Sequence, residues 1–114
     1  GNELEKTDLI RVDQPRPGGT LTPETVISGE ARGTWFFEGD FPVIVENAAG
    51  EVLFITHATA QGDWMTEDFV PFTVTLEEAD FGNAEGGTLV LKKDNPSGLP
   101  ENDDALRVPV MFGS

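Results

Sequence analysis

Apolar residues recur at every second position along most of this chain, in short runs bounded by Gly, Pro, Asn and Asp. A period of two puts alternate side chains on opposite faces of an extended backbone, and no window shows the three-to-four spacing of an amphipathic helix. The pattern predicts seven strands, over residues 9–12, 25–31, 41–46, 51–58, 69–76, 87–93 and 106–112. In the second, Ile27, Gly29 and Ala31 share one face, and a glycine there marks the close approach of another backbone. The third and fourth flank "NAAG", which has the length and the glycine of a hairpin turn. In the fifth, Phe72, Val74 and Leu76 point inward and Thr73 and Thr75 outward, as in a half-buried antiparallel strand. In the seventh, Val108, Val110 and Phe112 point inward, while Pro109 favours an edge because it has no N–H to give a ladder.

The turn signals complete the outline. "PRPGG" halts the first strand, and the stretch 76–87, "LEEADFGNAEGG", reads as a long connection with room for one helical turn. Seven short strands in about a hundred residues are the pattern of an immunoglobulin-like β-sandwich. The fold class is therefore all-β, with the domain over residues 9–114 and a flexible polar segment over residues 1–8. The chain has no cysteine, so the sandwich is of the disulfide-free kind.

Strand alternation carries a functional expectation. If consecutive strands reverse direction, the second, fourth and sixth loops meet at one end of the domain. Those loops are "GTWFFEGD", "QGDWMTED" and "DNPSGLPENDD". Both tryptophans and the most acidic loop thus converge, and the two tryptophan loops share a Gly-x-Trp opening that reads as coincidence rather than duplication.

Charge narrows the partners. Seven Lys and Arg against 21 Asp and Glu give a formal net charge of -14, which repels nucleic acid and anionic membrane surfaces. No apolar run approaches the roughly 18–20 residues of a membrane span, so direct membrane insertion of this domain is not expected. Gly1 followed by "NELEKTD" reads like the start of a trimmed segment, any export signal lying before it.

Catalytic constellations are poorly supplied. His57 is the single histidine, it sits in a strand pattern, and no Gly-x-Ser-x-Gly elbow accompanies it. One histidine and no cysteine do not make a zinc site. The acids are so numerous that carboxylate neighbours arise by chance, which weakens a glycosidase reading. No glycine-rich phosphate loop precedes a helix. The expectation is a non-enzyme without cofactor.

Binding has better candidates. Trp35, Phe36, Trp64 and Met65 could be exposed anchors, since large aromatic side chains dominate contact surfaces, or could plug the end of the sandwich. Trp64 is where those two roles divide most sharply; Phe37 and Phe41 read as core. Asp94, Asn95 and Asp103 supply hard oxygen ligands in the sixth loop, although their spacing is wrong for an EF-hand. They read as a polar part of the same surface, with a calcium-dependent carbohydrate-binding or glycan-active domain as the alternative.

The segments "VISGEARGTWFFEGDFPV", "GDWMTEDFVPFTVTL", "GTLVLKKDNPSGLPENDD" and "LRVPVMF", in that order, resemble the immunoglobulin-like domain of bacterial spore germination. The resemblance runs over about residues 10–112. It implies an extracytoplasmic setting in the cell envelope, in which a lipid-bearing cysteine would lie before Gly1. It also implies a non-catalytic role in binding or assembly, the partner being an envelope protein or a cell-wall polymer. The family carries no established catalytic residues to transfer, and oligomeric state is left open.

Overall fold

The computed structural model describes residues 8–14, 16–22, 24–36, 39–76, 81, 84–93 and 104–113. These form eight strands: β1 (Ile10–Gln14), β2 (Thr20–Leu21), β3 (Val26–Arg32), β4 (Asp40–Asn47), β5 (Val52–Ala60), β6 (Phe69–Thr75), β7 (Gly86–Lys92) and β8 (Ala105–Phe112). One 3₁₀ turn, Gly33–Trp35, follows β3. Every expected strand is present, with ends within two residues of those read from the pattern.

The count is corrected by one. β2 is only two residues long and pairs in parallel with Met111 and Phe112 of β8. No local alternation can announce so short an element, because its existence depends on a strand about ninety residues away.

The ladder runs β1-β3-β6-β5-β4-β7-β8-β2. β5 meets β6 through only two residue pairs, Thr59 with Thr73 and Ala60 with Phe72. The sheet therefore curls at that corner, leaving β1-β3-β6 as one wall of the sandwich and β5-β4-β7-β8-β2 as the other. The β4–β5 hairpin turns through the expected loop: Asn47 Oδ1 accepts the N–H groups of Ala49 and Glu51, and Gly50 takes a φ of 85°. Pro109 faces Thr88 of β7. Met111 N–H and Gly113 N–H both donate toward the β2 side, so alternation aims the nitrogen of Pro109 that way too, where β2 has not begun and no ladder bond to β7 is lost.

Inward residues of both walls form one cluster. Ile10, Ile27, Ala31, Phe72, Val74 and Leu76 meet Phe41, Val43, Leu89, Leu91, Leu106 and Val108, nearly all without solvent exposure. Burying each such Val, Leu, Ile or Phe contributes about 1.5–3 kcal/mol. Phe41 lies edge-on to Phe72 across the sandwich, with ring centroids 4.9 Å apart and planes at 83°, a favourable arrangement of ring quadrupoles.

Gly29 performs the role expected of it. A Cβ there would meet the carbonyl oxygen of Arg11 and lie 2.9 Å from Val12 Cα, both in the backbone of β1. Gly29→Ala must push β1 away from β3, and urea denaturation is expected to show a loss of roughly 2–3 kcal/mol.

Candidate functional site

The antiparallel pairings carry the second and fourth loops to the same end. Arg32, the last residue of β3, faces Phe69, the first of β6; Asp40, the first of β4, faces Thr59 near the end of β5. The sixth loop leaves from the same end, where Lys93 N–H donates to the Asp104 carbonyl at 2.9 Å. Asp94, Asn95 and Asp103, like Phe37, lie outside the described residues.

The second and fourth loops are fastened to each other. Gly33 N–H donates to the Asp68 carbonyl at 3.1 Å, and Arg32 Nη1 donates to the Glu67 carbonyl at 3.3 Å. Gly33 is buried so closely that a Cβ would collide with the carbonyl oxygens of Thr66 and Trp64. Gly39, with φ at 85°, packs against the indole of Trp64, which would lie 3.4 Å from an added Cβ. The guanidinium groups of Arg11 and Arg32 lie 4.1 and 4.2 Å from the centroid of the Phe69 ring, so cation–π attraction holds the start of β6 beneath the fourth loop.

The fourth loop also braces itself. Asp63 Oδ1 accepts the Met65 N–H at 2.9 Å, and Thr66 Oγ1 accepts the Asp68 N–H at 3.2 Å. Such short side-chain bonds to nearby backbone fix a turn without a ladder. Their effect here is to hold Met65 outward, at 77% exposure.

The four apolar candidates consequently separate. Trp35 is 1% exposed and Phe36 4% exposed, whereas Trp64 is half-buried and Met65 stands in solvent. Trp35 thus belongs to the core and cannot touch a partner while the end of the sandwich is closed. Phe36 forms the floor of a surface hollow and stacks edge-on to Phe41 at 5.3 Å, which ties that floor to the core. The question posed by Trp64 has a divided answer: it packs partly against the core and partly lines the hollow. The resemblance between the two Gly-x-Trp loops is one of letters, since one indole is interior and the other is at the surface.

The hollow is an open depression of about 240 Å³ lined by Gly33, Thr34, Phe36, Trp64, Met65 and Thr66. Exposed Asp63, Glu67 and Asp68 flank it. Its chemistry is that of a receptacle for an apolar side chain within an acidic surround. Among the described residues no group of three or more His, Asp or Glu is arranged to hold a metal ion. His57 is exposed on β5 opposite Pro42, without a hydrogen-bond partner among the described residues. Gly33, Thr34 and Thr66 lie in the two loops that the pattern brings together, but nothing in their residue types singles them out: Gly33 acts by admitting the carbonyl groups of Trp64 and Thr66, Thr66 by bracing its own turn, and Thr34 only lines the hollow.

One buried polar atom has no acceptor among the described residues, Trp35 Nε1. An unpaired interior N–H costs about 1–3 kcal/mol. Trp35→Phe, which removes that N–H and keeps most of the ring, is expected to change unfolding free energy by less than about 1 kcal/mol, whereas Trp35→Ala should lose about 3–5 kcal/mol. Equilibrium urea unfolding of the two variants measures both.

A comparison with curated proteins and with solved structures found no match. Residues 9–99, most of the chain, match the model of the immunoglobulin-like domain of bacterial spore germination, and the chain belongs to that family.

Proposed function

We propose that this domain is a non-catalytic binding or assembly module of the bacterial cell envelope, working outside the cytoplasm, and that it engages a protein or cell-wall polymer through the end bearing Phe36, Trp64 and Met65. The observation that carries the reading is Met65, a large apolar side chain held out in solvent beside an apolar hollow. Exposed apolar groups beside a concave apolar floor are the ordinary form of a small docking surface. Membership of an immunoglobulin-like family points to a binding or structural module in general terms. The acidic flank of Asp63, Glu67 and Asp68 favours a partner whose apolar group sits among cations. Trp35 supports the surface from beneath instead of contacting the partner.

Met65→Ala gives the cleanest test, because so exposed a side chain contributes little to folding. It should leave the melting temperature within about 1 °C of the parent and lower retention of solubilised envelope material on the immobilised domain by at least about tenfold. Trp64→Ala should lower retention as well, accompanied by a stability loss of roughly 1–2 kcal/mol from its half-buried ring. Undiminished retention by Met65→Ala would sink the proposal. Added calcium should leave the melting temperature unchanged, since a ion bound only by the native state would raise it.

A further inference from the structure

The open strand edges of this sheet are not alike. β1, at one end of the ladder, carries Arg11 and Asp13, has a register break between Val12 and Gln14, and is followed in sequence by Pro15, Arg16 and Pro17. β2, at the other end, is two residues long. Charges, bulges, prolines and shortness are the devices that keep an edge from pairing with another chain.

β5 has a third edge with almost none of these. It is nine residues long and touches β6 only through Thr59 and Ala60, so along residues 52–58 its second edge has no strand partner among the described residues. Residues 52–62 contain no Asp, Glu, Lys, Arg or Pro, the longest uncharged run in the chain. Its irregularity is confined to the start, where the register with β4 shifts between Val45 and Glu46.

Hydrogen-bond alternation shows which backbone groups face outward. Ala60 N–H donates to the Gly39 carbonyl at 2.7 Å. With Asp40 opposite Thr59, the backbone groups of Phe54, Thr56 and Ala58 are then directed at β4, and those of Ile55 and His57 at the open edge. Ile55 is also 59% exposed, and lies on the outer face in one row with Ile44 and Val90. An added strand would prolong that apolar row and satisfy the open backbone groups together.

We infer that β5 is a self-pairing strand, joining two copies of this chain antiparallel about a twofold axis near Thr56. Antiparallel pairing of one strand with its own copy is closed by a twofold axis, so it gives a dimer and stops. Charge selects this edge. Two chains that each carry a formal charge of -14 repel over most approaches, and the uncharged β5 strip is where they meet with least opposition. An uncharged edge also offers a strongly charged partner strand nothing to prefer. Around Thr56, Ile55 stands opposite His57 of the second copy, and about four backbone hydrogen bonds form.

Sedimentation equilibrium of the full chain, from about 10 μM to about 1 mM in physiological salt, should show the mass rising from one chain toward two. Ile55→Lys, which sets a cation beside the axis, should weaken the dimer at least about tenfold. Ile55→Pro should abolish it, because the N–H it removes points at the open edge and not at β4. Both variants are first checked for the parent circular dichroism spectrum. Hydrogen exchange on the unaltered chain provides a readout that needs no variant: protection of the Ile55 and His57 amides should grow with protein concentration, while Phe54 and Thr56 stay protected throughout. A single-chain mass over the whole range would overturn the inference. So would a dimer whose Ile55 and His57 amides exchange independently of concentration, or one abolished by Met65→Ala and not by Ile55→Lys.

Discussion

The two walls of this domain are held together chiefly by what they enclose. Among the described residues, only the two residue pairs between β5 and β6 join them through the ladder, so their separation and alignment are set by the apolar side chains between them. That explains why period-two alternation is so clear along β3, β4, β6 and β8, where the inward positions are buried except at the strand ends Asn47 and Phe112 and the outward ones are not. A one-residue slip in any of these strands would turn its buried row to water. Phe41 and Phe72, edge to face across the gap, mark the place where the two alternations are in register with each other.

The end that carries the hollow inherits its rigidity from that interior. Phe36 reaches from the floor of the hollow to Phe41, and Gly33 lets the backbone of the second loop lie directly on the carbonyl groups of Trp64 and Thr66. Little conformational entropy would then be lost on docking at this end as proposed, which reduces one of the main costs of association. The same tight construction explains why Trp35 can keep an unpaired indole N–H: the rest of the end fixes the ring where no described acceptor reaches it.

Much of the fold was legible in the sequence because its information is local. Alternation, the "NAAG" turn and Gly29 each state a backbone requirement within a few residues, and each requirement is met in the structure; Pro109 stands instead in an interior strand, β8 lying between β7 and β2, and is tolerated because its nitrogen faces the side where β2 has not begun. Alternating strand directions likewise brought the second and fourth loops to one end. β2 was not legible, since two residues carry no period and its partner strand is remote in the chain. The two tryptophans could not be told apart by letters alone. What separates them is a 3₁₀ turn that folds Trp35 inward and an Asp63 bond that shapes the loop carrying Trp64, and both are outcomes of tertiary closure. The open stretch of β5 needed the topology as well: an uncharged run says that an edge is unguarded only once the strand is known to be an edge.

The placement of the two indoles also makes the protein its own optical instrument. The chain has two tryptophans and no tyrosine, so near-ultraviolet emission comes almost wholly from Trp35 in a dry interior and Trp64 on the wall of an open hollow. The blue side of the emission band reports whether the sandwich is closed, and the red side reports what lies against its end. Folding and occupancy can be followed in a single unlabelled sample, separated by wavelength.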